Sequence, residues 1–189
     1  MAGKNTNRPH VAGFTIVELL IVIVVVGILA TLVMSAFQNM QAKARDSIRK
    51  QDLANIKKSI LNQNNVNGTW ARAGDNCATN TRADGFLTLR GMSATGVNYG
   101  AKSMTDCLIE DGFLSADIVD PSGARSCPTS TTPTCRTYMK VQCTVSGQTR
   151  VYLYASLETE PTGTTLTEQC SLAATWDSNF GMNYALQVL

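Results

Sequence analysis

No proline interrupts the chain between Pro9 and Pro121, and no glycine between Gly27 and Gly68. These two residue types break or kink helices, so their absence leaves a long stretch free to be one helix. Histidine is down to a single residue, His10, and the first thirteen residues contain no acid. Cysteine is missing until Cys77, and the six cysteines include no Cys-x-x-Cys pair. Those spacings, without a histidine nearby, do not fit a zinc site. Charged residues make up only 16% of the chain and the net charge is +2, which by itself points to neither nucleic acid nor an anionic membrane as partner. No Gly-rich phosphate loop or paired-carboxylate motif stands out, and the serines and threonines have no evident base, so catalysis finds little support.

What is present begins with composition. At 189 residues and 44% hydrophobic content, the chain suits one domain or a small domain with an appendage, not disorder. Both excess charges, Lys4 and Arg8, sit in the polar first thirteen residues. From Leu19 to Ala30 there is no polar side chain, and the apolar character extends over Phe14 to Phe37. About 20 helical residues span a ~30 Å hydrocarbon core. "IVIVVV" is β-branched and favours a strand in water. In lipid an isolated strand leaves its backbone unpaired, so a helix is expected. Lys4 and Arg8 would hold the N-terminal flank in the cytoplasm. An ordinary secretory signal needs small residues after the apolar run, and "ATLVMSAFQNMQAKA" is a weak Ala-x-Ala candidate. A plain signal anchor leaves Glu18 without a reason. A carboxylate at the centre of a membrane helix costs about 2.5–3.5 kcal/mol, and less near the interface, which makes Glu18 a functional candidate.

The stretch "G|FTIVELLIVIVVVGILA" resembles the class III signal of type IV pilins and pseudopilins: a short basic leader ending in glycine, then Phe-Thr-x-x-Glu opening an apolar helix. The resemblance is specific over residues 8 to about 37, looser through the following helix, and architectural beyond. It implies that a membrane aspartyl prepilin peptidase cuts after Gly13 and methylates the new N-terminus at Phe14. It also implies that Glu18 pairs with the free amine of a neighbouring subunit during assembly. Cation and anion, each costly alone in a low-dielectric core, would then offset one another and fix axial register. Family members often carry a proline midway along the apolar half, where this chain has only Gly27 as a weak point.

Residues 38–62 turn amphipathic. Met40, Ala44, Ile48, Leu53, Ile56 and Ile60 recur at steps of about three and four, which predicts one helix face for a soluble layer. Lys43, Arg45, Asp46, Arg49, Lys50, Lys57 and Lys58 are expected on the other faces, with Asp46 and Lys50 paired at i,i+4. "KARDSIRK" reads as a solvated face just outside the membrane rather than a nucleic-acid patch. One helix is expected from near Phe14 to about Asn62, ended by "NNVNGTW".

Beyond it, "MTDCLIEDGFLSADIVDP" predicts a short helix stopped near Gly112, then a turn at Asp120-Pro121. "TYMKVQCTV" and "TRVYLYASL" alternate with period two around "SGQ", which predicts a hairpin with one buried face. "NYALQVL" offers a last strand. The expected fold class is α+β: a long N-terminal α-helix packed against a small antiparallel sheet, as the resemblance also implies. The expected organisation is a leader at 1–13, a membrane-spanning or filament-core half at 14–37, an amphipathic half at 38–64, and an extracytoplasmic globular region at 65–189.

Cys77, Cys107, Cys127, Cys135, Cys143 and Cys170 lie beyond the membrane segment and suggest disulfides in an oxidising compartment. Six cysteines allow fifteen connectivities. Cys127 with Cys135, Cys143 with Cys170 and Cys77 with Cys107 is one choice, since Cys143 falls on the apolar alternation of its strand. Some pseudopilins bind calcium, and Asp117, Asp120 and Asp177 are possible ligands, but their spacing matches no calcium loop and no cofactor is expected. Trp70, Tyr99, Trp176 and Tyr184 could stack on DNA bases, although single aromatics in a small domain more often fill a core.

These features favour a structural subunit of a type IV pilus or pseudopilus. It would be made in the inner membrane with its N-terminus cytoplasmic and assembled by a pilus or secretion platform into a surface pilus or periplasmic pseudopilus. A second reading is a minor pilin whose head binds DNA, a surface or a secreted substrate. A third is a membrane-anchored extracytoplasmic enzyme or sensor, whose activity a Glu18→Ala change would not affect.

Overall fold

In the computed structural model the described residues are 13–68, 85–87, 102–124, 136–160 and 180–188. Six elements occur among them: α1 (Ile16–Asn67), β1 (Gly85–Phe86), α2 (Met104–Glu110), β2 (Tyr138–Val145), β3 (Gln148–Ala155) and β4 (Tyr184–Gln187). The chain divides into two compact units, Met1–Gln41 and Ala42–Leu189, and α1 contributes to both.

Helix α1 is continuous over 52 residues, as the lack of proline requires. It runs five residues past the expected end, through "QNNVN", because no breaker stands before Gly68. Gly68 adopts φ +68° and donates its N–H to the Asn64 carbonyl at 2.8 Å, which closes the last turn. In the first unit the apolar residues from Phe14 to Met40 are exposed all round the helix. Among the described residues, α1 is the one helix long and apolar enough to cross a membrane.

In the second unit the sheet has strand order β1-β2-β3-β4, all antiparallel. Leu53, Ile56 and Ile60 of α1 pack with Tyr138, Val151, Leu153 and Ala155 of the sheet and with Met104 and Leu108 of α2. Burial on this scale contributes about 1.5–3 kcal/mol per large apolar side chain. Helix α2 begins with a capping box. The Ser103 Oγ accepts from the Asp106 N–H at 3.1 Å, and the Asp106 carboxylate accepts from the Ser103 N–H at 3.0 Å. Gly112, at φ +74°, stops the helix where expected, and the turn at Asp120 closes with Gly123 N–H to Asp120 O at 2.7 Å.

The hairpin corrects two expectations. Its loop is two residues, Ser146 (φ +52°) and Gly147 (φ +78°), so Val145 pairs with Gln148, not a three-residue "SGQ". Positive φ at both positions is the primed turn that matches strand twist. One residue of loop length flips the register. Met139 now opposes Tyr154 and Val141 opposes Tyr152, while Lys140 opposes Leu153. The two apolar alternations therefore lie on opposite faces, and both faces are buried at the Tyr138 end. Met139, Val141, Tyr152 and Tyr154 form a second cluster with Phe180 and Met182, beside a half-buried Cys143. A Gly147→Ala change meets open space but keeps the left-handed backbone. It should cost about 1–2 kcal/mol, seen as a melting temperature lowered by about 2–8 °C in thermal unfolding of the full chain.

The helix face is corrected too. Leu53, Ile56 and Ile60 turn inward as expected, but Met40 (62%) and Ile48 (47%) are exposed and Ala44 is exposed with them. Asp46 and Arg49 take the buried positions instead.

Candidate processing and assembly site

The residues of the candidate signal meet at the start of α1. Gly13 is exposed, with no atom within 4 Å of where a Cβ would stand, and Phe14 is 91% exposed. The Gly13–Phe14 bond therefore lies open to a peptidase. Thr15 caps the helix. The Glu18 carboxylate oxygen Oε2 accepts from the Thr15 N–H at 2.8 Å and from the Thr15 hydroxyl at 2.8 Å. The Glu18 N–H in turn donates to Thr15 Oγ1 at 3.2 Å. This is a reciprocal capping box, with the acid also favoured by the helix dipole.

Glu18 is therefore not a bare charge. Its own turn supplies two donors, which lowers the cost of holding it at a membrane interface. The signal was in the sequence, Thr15-x-x-Glu18 ahead of an apolar run, and reading Glu18 only through an amine partner missed Thr15. Chemically the site offers an exposed Gly13–Phe14 bond and, four residues on, an acid that can exchange hydroxyl and amide donors for an ammonium.

A second polar site lies within the Ala42–Leu189 unit, and sequence reasoning missed it. The fully buried Arg49 guanidinium meets three carboxylates. Nε and Nη2 bind Asp120 Oδ2 and Oδ1 at 2.7 and 3.1 Å, and Nη1 reaches Asp46 at 2.9 Å and Glu158 at 2.8 Å. Arg45 forks onto Glu158 at 2.8 and 2.6 Å. Asp46 also accepts from the Glu158 N–H and from the Thr159 N–H and hydroxyl, all at 2.8 Å. Lys50 joins Glu160 at 3.4 Å, so the expected Asp46–Lys50 pair is replaced by Asp46–Arg49. "KARDSIRK" is thus not a purely solvated face. Its inward residues clamp α1 to the 120 and 158 loops.

The Arg45 hydrogen bonds pull the Glu158 acid down to about 2, against some burial and with help from Arg49. Burial pushes the Asp46 acid up, but the hydrogen bonds from Glu158, Thr159 and Arg49 outweigh it and leave it below its usual value. Both folded values are depressed. Their contribution is therefore complete above the unfolded carboxylate range near pH 4–4.5 and is lost as pH falls toward 2. Unfolding titrations should show a flat plateau from pH 5 to 7 and a steep loss of stability below about pH 4.

Asp120 is engaged by Arg49 and by the Ser122 N–H at 2.8 Å, and Asp177 lies outside the described residues. Among the described residues no cluster of three candidate metal ligands occurs. Cys107 and Cys143 are half-cystines, and Cys77, Cys127, Cys135 and Cys170 lie outside the described residues. Tyr184 is half-buried under the Lys50 ammonium, 5.2 Å from its ring centre, and so presents no free stacking face. Trp70, Tyr99 and Trp176 lie outside the described residues.

A polar groove of about 460 Å³ runs between α1 and the segment after α2, bordered by Asp52, Asn55, Lys58, Phe113 and Asp117. Asp52 Oδ2 accepts the hydroxyl of the buried Tyr138 at 2.6 Å. Burial pushes the Asp52 acid up, and the Asp120 charge adds to it against the Tyr138 hydrogen bond. Burial and the Asp52 charge push the Tyr138 phenol up as well.

An exposed Gly13–Phe14 junction followed by a capped, membrane-length helix fits a class: precursors anchored in a membrane by an N-terminal helix and carrying a processing signal at its start. Residues 8–34 match the family model described as the prokaryotic N-terminal methylation motif, the class III signal of type IV pilins and pseudopilins. The motif marks the chain as a type IV pilin-like precursor. No curated protein and no solved structure matches it.

Proposed function

We propose that this chain is a structural subunit of a type IV pilus or pseudopilus, cleaved by prepilin peptidase after Gly13, N-methylated at Phe14 and assembled through α1. One observation carries the reading. The methylation motif at residues 8–34 ends its leader on an exposed Gly13–Phe14 junction, directly before a capped helix whose apolar side chains from Phe14 to Phe37 are exposed on every side. That surface suits lipid in the precursor and the helices of other copies in a filament, since both environments are apolar. Lys4 and Arg8 support a cytoplasmic N-terminus. An assembly platform would then draw subunits from the inner membrane into a surface pilus or a periplasmic pseudopilus. The reading gives the chain no catalytic residue and no cofactor. It pairs the six cysteines in the oxidising compartment, as the half-cystines Cys107 and Cys143 suggest.

N-terminal sequencing and intact mass of the protein from sheared filaments should give a chain starting at N-methylated Phe14. An intact Met1, or any start other than Phe14, overturns the reading.

A further inference from the structure

Between Phe14 and Phe37 the apolar run carries four polar side chains: Thr15, Glu18, Thr31 and Ser35. Its three hydroxyls have different destinations. Thr31 Oγ1 donates to the Ile28 carbonyl at 2.7 Å and Ser35 Oγ to the Leu32 carbonyl at 3.0 Å, each three residues back on the same helix. That is an ordinary way for a hydroxyl to be satisfied inside a helix. The Thr15 hydroxyl goes instead to the Glu18 carboxylate. Among the described residues it is the one side-chain donor on that acid.

The hydroxyl and the amide of Thr15 both fall on Oε2, each at 2.8 Å. No donor among the described residues reaches the other oxygen, Oε1. Thr15 is itself fixed. Its Oγ1 accepts from the Glu18 N–H at 3.2 Å, and its carbonyl accepts from the Leu19 N–H at 3.2 Å. One carboxylate oxygen is thus held over the first turn while the other is left open. The nitrogen that cleavage after Gly13 would free is that of Phe14, the residue directly before Thr15. An unrestrained glutamate loses the freedom of several rotors when it meets a cation. Holding it in place beforehand lowers that cost.

We propose that Thr15 is a positioning residue for assembly: its hydroxyl fixes Glu18 through Oε2 and presents Oε1 to the Phe14 ammonium of a neighbouring subunit. This rests on the filament reading above and adds to it the residue that aims the acid.

Full-length Thr15→Ser, Thr15→Val and Thr15→Gly chains are expressed in cells with the assembly machinery. Leader removal is followed by intact mass. Sheared filaments are counted per cleaved chain, so that slower processing does not mimic failed assembly. Serine keeps the hydroxyl and should assemble within about twofold of wild type. Valine keeps the shape without the hydroxyl and should lower the yield about tenfold, the worth of one hydrogen bond to a charged group. Glycine separates aiming from capping, because it serves at a helix N-cap about as well as threonine but brings no hydroxyl. It should fall with valine. Wild-type yield from valine or from glycine, or a serine chain that fails with them, overturns the positioning role and leaves the filament reading standing. A wild-type chain that keeps its leader and forms no filaments overturns both.

Discussion

Glu18→Ala is expected to leave membrane insertion and cleavage after Gly13 intact and to abolish filaments. In the assembled core the Phe14 ammonium would lose its anion. Breaking a buried pair by removing one partner costs about 3–5 kcal/mol, a factor of about a hundred to a few thousand per subunit added. The alanine chain would insert more easily, since the acid itself is the costly group in lipid. Glu18→Gln separates the two roles of this side chain. Glutamine still accepts from the Thr15 N–H and hydroxyl, so the capping box that glutamate makes at 2.8 Å survives. Only the charge is gone. If capping were the whole purpose of Glu18, the glutamine chain would assemble normally. The expected result is that it fails almost as completely as alanine, with filaments counted by electron microscopy and precursor cleavage followed by mass.

Arg49→Met should be the most damaging single change in the globular region. It removes a guanidinium with no exposed surface and strands Asp46 and Asp120, both nearly fully buried. Glu158 keeps Arg45 and suffers less. The expected loss is about 3–5 kcal/mol in urea unfolding of the full chain in detergent.

Much of the first element was legible because its causes are local. Thr15, Glu18, the unbroken run to Gly68 and the left-handed glycine at its end act within a few residues of one another. The short helix at Met104 is likewise set by Ser103 and Asp106, three apart. The inward face of α1 was only half legible. Leu53, Ile56 and Ile60 followed the helical period, but Asp46 and Arg49 were assigned to solvent because their partners, Asp120 and Glu158, lie over seventy and over one hundred residues away. Nothing near position 49 announces that three carboxylates will surround it.

The hairpin shows the same division on a smaller scale. Alternation located both strands, yet it could not say which alternation faced α1. That depended on whether the loop held two residues or three, a difference of one position that turns a strand over.

By itself, then, the sequence determined that residues 8–34 carry a methylation-type signal leading into an unbroken apolar helix, and that a small antiparallel sheet follows. Propensity, capping and hydropathy are written in neighbouring residues. Only the tertiary structure decided which strand faces the helix, which charges are buried, and that Asp52 receives the Tyr138 hydroxyl at the edge of a groove. Those outcomes depend on register and on contacts closed across long loops, which no local pattern encodes.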